Sequence, residues 1–290
     1  MATQKTVAAG LFRPEVWSKE LLRNLDNTGV MLDCVNRNYE GEIKNAGDTV
    51  HIQKAGDITI NTYTAGTPLT YQALNGDTDT LVVNQAKAWS FLVEDIEKVQ
   101  ANIALAEKYM RRAKVAIANT KDAYILGLAQ AGVAAGNQLG TVALTKANVY
   151  ETCVELFEKL ARANAIDAAG KGEDGKRPFL VLPPEVISII KKSDEAKNAT
   201  TLGDETMRKG AIMEFAGFDI KQSTVFAAPT SSAAKVIIAG TTEAITYADQ
   251  IVKTETLKDI NQFGDYVRGL YVYGAKVVQG ECLASASVTI

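Results

Sequence analysis

The side chains of this 290-residue chain best suited to covalent or acid–base chemistry are few and scattered. His51 is the single histidine, flanked by Val50 and Ile52 in a pattern that alternates apolar and polar residues. A serine or cysteine hydrolase needs a nucleophile, a base and a group that orients the base. The chain has no G-x-S-x-G turn and no cysteine-protease signature, so His51 reads as a structural strand residue. Cys34, Cys153 and Cys282 are far apart, odd in number and form no C-x-x-C pair, which argues against a zinc ribbon, a redox motif or a disulfide framework. Glu94, Asp95 and Glu97 could hold a metal or move a proton. No histidine joins them, and a helix N-terminus favours carboxylates without any such role. Residues 170–175 read GKGEDG, which is neither a Walker loop nor a dinucleotide fingerprint, and read as a flexible loop. Asp48, Asp57, Asp77 and Asp79 read as isolated turn residues, not a calcium loop. The expectation is a chain with no catalytic, cofactor-binding or metal site.

What must be positioned is therefore a surface. The first residues, Ala2 to Gly10, have few bulky apolar side chains and read as a loose arm. Pro14 opens a short helix with Val16, Trp17, Leu21, Leu22 and Leu25 on one side. Residues 42–93 alternate apolar and polar positions, with Gly-Asp pairs at 47–48, 56–57 and 76–77, which predicts strands and tight turns. Between Ile60 and Thr80 the bulky apolar residues are few, among them Tyr63, Leu69, Tyr71 and Leu74. Such a segment buries itself poorly and reads as a surface loop or a hairpin that packs on another chain.

No Gly or Pro occurs from Asp77 to Leu126. Within that window Ile96, Val99, Ile103, Ala106, Met110, Ala113, Ile117, Thr120 and Tyr124, then Leu128, recur at steps of three and four. Lys114 and Lys121 fall on the opposite face. The spacing predicts one amphipathic helix of roughly 50 Å, at 1.5 Å per residue. Heptads with paired flanking charges are not evident, so a helix across a sheet is expected over a coiled coil. A Gly- and Ala-rich break is expected over 127–140, then a helix capped by Thr145 with Val149, Cys153, Leu156 and Leu160 inward. Residues 179–182 form a buried strand, Pro184 starts a further helix, and short strands are expected at 236–239, 244–247 and 270–278. The fold class is α+β, with an α/β second lobe.

Apolar residues make up 47% of the chain, enough for a sizeable core. A net charge of -3 and the lack of any long Lys/Arg run argue against gripping nucleic acid as the main task. The first 22 residues lack the apolar core of a signal peptide, and no 18-residue apolar run spans a membrane. Three isolated thiols suit a reducing cytosol.

Five segments, in order, carry a resemblance. They are residues 14–18, PEVWS; 35–43, VNRNYEGEI, followed by GDTV at 47–50; 91–102, FLVEDIEKVQAN; 217–220, GFDI; and 263–274, FGDYVRGLYVYG. Together they resemble the major capsid proteins of tailed bacteriophages, in the branch of short-tailed phages, over nearly the whole chain. An inserted β-domain that some of that branch carry has no room here.

The resemblance implies an N-terminal arm with a short helix (1–41), an extended β-hairpin loop (42–93) and a long spine helix in a peripheral domain (94–140). An α/β axial domain (141–262) and a return strand (263–290) follow. It implies a structural, non-enzymatic subunit that self-assembles into pentamers and hexamers enclosing double-stranded DNA, touched non-specifically. The expected partners are further copies, a scaffolding protein and a portal during assembly, and a decoration protein, with no membrane. The expected place is the virion capsid, assembled in the bacterial host cytoplasm. Residues expected to meet neighbouring subunits are Tyr63, Leu69, Tyr71 and Leu74 of the loop and Phe12 and Trp17 near the N-terminus. Hinges for DNA-driven maturation are expected at 127–140 and Gly41. The alternatives are an encapsulin-type protein compartment, which shares the fold, an enzyme using His51 or Cys34, and a tail protein.

Overall fold

The computed structural model describes residues 29–39, 49–54, 58–62, 66, 68, 71–73, 76–94, 104–193, 214–226, 234–258 and 264–290. The long helix α1 (Ala104–Gly132) reaches about 43 Å at 1.5 Å per residue. Its upstream residues 95–103 lie outside the described ones. It is followed by α2 (Val149–Arg162) and α3 (Pro184–Lys192).

Eleven strands among the described residues form three sheets. A hairpin pairs β1 (Thr49–Lys54) with β2 (Asp77–Val82). A three-stranded antiparallel sheet places β10 (Gly264–Val277) between β3 (Gln85–Glu94) and β9 (Ile245–Lys258). A mixed six-stranded sheet comprises β4 (Gln138–Ala143), β5 (Phe179–Leu182), β6 (Glu214–Phe215), β7 (Phe218–Gln222), β8 (Lys235–Gly240) and β11 (Leu283–Thr289). Its spatial order is β4-β11-β8-β5-β7-β6. Mixed pairing with helices gives the expected α+β class.

The central strands β5, β8 and β11 of the six-stranded sheet are buried on both faces, and their residues divide by parity as strand geometry demands. Phe179, Val181, Val236 and Ile238 face a core with Ile125, Leu126, Ala129 and Val133 at the end of α1. Leu180, Leu182, Ile237 and Ala239 face a second core with Val149, Cys153, Leu156 and Leu160 of α2 and Val186, Ile187 and Ile190 of α3. A strand buried on two faces reads as a continuous apolar run, which is why FLVL at 179–182 was recognisable. Pro184 starts α3 as expected, where its missing N–H costs nothing.

Four expectations change. The chain does not break at 127: α1 continues through Gly127 to Gly132, where a methyl group would lie 2.6 Å from Val277. Burial of Leu126, Ala129 and Val133 against the sheet outweighs the helix-weakening glycine. Thr145 does not cap α2. Its N–H and hydroxyl both donate to the Asn148 carboxamide oxygen, and Asn148 is the residue preceding the helix. The strands at 245–258 and 264–277 are far longer than expected, because polar positions such as Glu255 and Arg268 face solvent and interrupt the apolar pattern. Asp77 and Asp79 sit in β2, not in turns, and Asp79 pairs with Lys276 at 2.5 Å.

The buried stripe of α1 is also displaced by one position. Ala118, Lys121, Asp122, Ile125, Leu126, Ala129 and Val133 are buried, while Thr120 is exposed. Lys121 keeps only 2% of its surface. It pairs with Asp249 of β9, and its ammonium lies 4.5 Å from the centre of the Tyr271 ring. The Tyr247 hydroxyl donates to the same Asp249 carboxylate oxygen at 3.0 Å, and the Tyr247 and Tyr271 hydroxyls are 2.7 Å apart. The adjacent Asp122 accepts the N–H groups of Val30 and Met31 at 3.1 and 3.2 Å, capping the short 3-10 helix Met31–Cys34. Two neighbouring charges thus tie α1 to β9 on one side and to the N-terminal segment on the other.

Candidate functional site

Among the described residues, His51 and the three cysteines are not brought into one site. His51 lies on the exposed side of β1, opposite Thr80 of β2, with their side chains 3.4 Å apart. That is a cross-strand pair with no nucleophile. Burial pushes the thiols of Cys34 and Cys153 up to about 12, and also raises Cys282, so none is a ready thiolate at neutral pH. Glu94 ends β3, so it does not belong to a helix N-terminus, while Asp95 and Glu97 lie outside the described residues.

The glycine-rich stretch at 170–175 is built from tight turns and is not a flexible loop. Asp167 accepts the N–H groups of Ala169 and Lys171 at 2.8 and 2.9 Å. Asp174 accepts the Lys176 N–H and, at 2.5 Å, the Thr242 hydroxyl. These bonds hold the Asp174 carboxyl below the usual range although burial acts against them. A groove of about 1140 Å³ runs past these turns, lined by Asp167, Lys171, Glu173, Glu243 and Glu281. Burial, with Glu173 beside it, raises Glu243. Among the described residues no group of three or more His, Cys, Asp or Glu could hold a metal ion. Among them, too, no helix is long and apolar enough to cross a membrane.

The β1–β2 hairpin has a firm base and bare side chains beyond it. Strand alternation aims Val50, Ile52 and Leu81 at one face, where with Val83 they meet Ala248 of β9 and Val272 of β10. Gly274 of β10 makes this crossing possible. A methyl group there would lie 2.4 Å from the Val82 carbonyl oxygen and 2.8 Å from Val83 Cα. Beyond the base, Ile58 is 72% exposed, Ile60 95% and Tyr71 94%. The Thr59 N–H donates to the Gln72 side chain at 2.8 Å, so the two arms stay joined toward the tip. Three large apolar side chains this bare are uncommon on a chain meant to stay alone. Of the six expected contact residues, Tyr71 is described and exposed. Tyr63, Leu69, Leu74, Phe12 and Trp17 lie outside the described residues.

A second exposed set was not foreseen. Leu257 of β9 and Tyr266 and Leu270 of β10 are exposed on the three-stranded sheet. The alternation of Tyr266, Arg268 and Leu270 with buried Val267 and Gly269 carried the signal, but the expected strand began only at 270. On the opposite face Trp89 lies across Gly269, where a methyl group would come within 2.5 Å of the indole, and stacks on Phe91 at 5.7 Å.

No family model and no curated protein matches the chain. Solved structures do. One from Mycobacterium phage Che8 is 25% identical, covering 89% of this chain and 90% of that chain, with a TM-score of 0.69. The capsid structure of cyanophage P-SCSP1u is 12% identical over 85% of each chain, with a TM-score of 0.67. The mature capsid of bacteriophage PhiM1 is 13% identical, covering 83% of this chain and 82% of that chain, with a TM-score of 0.64.

Proposed function

We propose that this chain, which has the fold of tailed-phage major capsid proteins, is the structural subunit of an icosahedral phage shell, built from pentamers and hexamers of itself around double-stranded DNA. The observation that carries the reading is the β1–β2 hairpin: rooted in the core at Val50, Ile52 and Leu81, bare at Ile58, Ile60 and Tyr71. A surface of that kind is completed by another copy. Burying three such side chains stabilises a contact by about 5–9 kcal/mol gross. Association costs of about 4–15 kcal/mol offset most of that, so one contact is marginal and a closed ring of them is firm. That is the energetic pattern a shell needs.

The finer expectations rest on the resemblance. They are a scaffolding protein and a portal during assembly, a decoration protein on the finished shell, non-specific contact with packaged DNA, and assembly in the host cytoplasm. The encapsulin reading is not favoured, since the solved structures named above come from phages. His51 faces Thr80 across the hairpin and Cys34 and Cys153 are buried, which favours the structural reading over an enzyme that uses them.

The test is deletion of residues 62–78 from the expressed chain, with particles scored by negative-stain microscopy. Closed shells should be lost while the remaining chain keeps its circular dichroism spectrum. Normal shell yield from the deletion would sink the role assigned to the hairpin. Nucleic acid, not a protein cargo, is expected inside particles from infected cells.

A further inference from the structure

Helix α2 carries a second apolar row beside the one it buries. Cys153, Leu156 and Leu160 point into the core. Tyr150, Val154, Phe157 and Ala161 recur at helical spacing, so they share the next face round the helix. Tyr150 and Val154 are each 40% exposed, Ala161 is exposed and Phe157 is half-buried. The β6–β7 turn widens this row. The Phe215 ring meets Tyr150 edge to face at 5.6 Å. Gly217 lies on Phe157, where a methyl group would come within 2.8 Å of the ring. Between them the half-buried Ala216 holds φ at 49°, a left-handed value that is strained for any residue with a Cβ. Helix row and turn together make one apolar strip.

The two rims of the strip differ in charge. On the helix side Glu151, Glu155 and Glu158 recur at steps of four and three, and all are exposed. Glu158 pairs with Arg162 at 2.5 Å. Lys159, one turn beyond Glu155, turns away and donates to the Gly136 carbonyl at 2.8 Å. The helix rim is therefore acidic. On the turn side Glu214 pairs with Arg177, so that rim is neutral. A matching occupant has apolar side chains in a row and cations along one edge. An amphipathic helix with Lys or Arg beside its apolar stripe has that shape. A further copy of this chain matches less well. The exposed side of α1 offers Arg111 and Arg112, but among the described residues Val115 is the one large apolar side chain exposed on that helix.

We infer that the strip formed by α2 and the β6–β7 turn is a docking site for a basic amphipathic helix of a different protein. Its apolar side chains lie on Tyr150, Val154 and Phe157, and its cations run along Glu151 and Glu155. The apolar contact supplies affinity, while the glutamate row fixes orientation and rejects acid-edged helices. This surface is separate from the hairpin, and the inference does not depend on the shell reading.

The test uses the full-length unassembled chain and two synthetic helical peptides of about 18 residues, roughly five turns. Both carry the same leucine stripe; one is edged with lysine and its twin with glutamate. Binding is read by fluorescence anisotropy. The lysine-edged peptide should bind saturably, and its twin roughly tenfold more weakly or worse, with the gap narrowing as salt rises. The double variant Glu151→Lys with Glu155→Lys should reverse that preference, which a merely structural role for the two glutamates would not do. Val154→Glu should weaken the lysine-edged peptide although it leaves the acidic rim in place, and its thermal midpoint should match wild type. Equal binding of the two peptides, or a preference that survives the double reversal, would overturn the assignment. Sedimentation of the purified double variant without peptide should match wild type. Lost self-association there would mean that a second copy covers the strip, and would overturn the claim of a different protein.

Discussion

Lys121→Met asks how the long helix is held to the sheet beneath it. The native ammonium is almost fully buried, pairs with Asp249 and lies over Tyr271. Methionine matches its length and removes its charge. Asp249, whose side chain is 11% exposed, then keeps the Tyr247 hydroxyl as a donor but loses its cation. Breaking a buried pair by removing one partner costs about 3–5 kcal/mol, much of it the burial of the unpaired charge. For a chain of this size that is a drop in melting temperature of roughly 6–10 °C, at about 2 °C per kcal/mol. The assay is thermal and urea unfolding of the unassembled chain, for Lys121→Met, Asp249→Leu and the double variant. The double variant should be more stable than either single one, since it leaves no orphan charge. Single losses below about 1 kcal/mol, or strict additivity, would refute the idea that this pair holds α1 to β9.

Three further outcomes follow from the packing. With Cys34 and Cys153 pushed up to about 12, thiolate at pH 8 is roughly one part in ten thousand. Iodoacetamide on the native chain should therefore modify the half-exposed Cys282 first. Mass-mapped labelling of Cys34 or Cys153 without denaturant would contradict their burial. Gly274→Ala should destabilise by about 1–3 kcal/mol, because the new methyl group meets backbone at Val82 and Val83 that cannot swing away. Limited proteolysis should then cut the hairpin base sooner, and unchanged protection would argue against the close crossing. Burial raises the Asp122 carboxyl above its usual range, against the pull of the Val30 and Met31 N–H groups. The folded state thus holds that proton more tightly than the unfolded one. Its contribution is fully present below the ordinary carboxylate range and is lost as pH rises through the raised value. In Asp122→Asn the urea midpoint should lose that downward slope, and a variant with the same slope as wild type would exclude Asp122 as its source.

The parts of this fold that could be read from sequence are those whose burial rests on local pattern. Val149, Cys153, Leu156 and Leu160 line one side of α2 because all four are apolar at helical spacing, and Phe179–Leu182 is apolar without interruption. The phase of α1 could not be read. Its buried side includes Lys121 and Asp122, whose partners Asp249, Val30 and Met31 are more than ninety positions away. A polar side chain goes inside only when such a partner is waiting, and no local window reveals one. The hairpin tip was legible as a stretch that cannot bury itself. The exposed face of the three-stranded sheet was missed because Arg268 and Glu255, paired across β10 and β9, interrupt its apolar run.

Strand β11 lies inside the six-stranded sheet, between β4 and β8, although it is formed by residues 283–289. A nascent chain stalled at residue 282 would leave β4 without the one ladder partner it has among the described residues, and β8 bare along one edge. This sheet therefore closes only once residues 283–289 are made, so a shorter nascent chain holds β4 apart from the strands it belongs with.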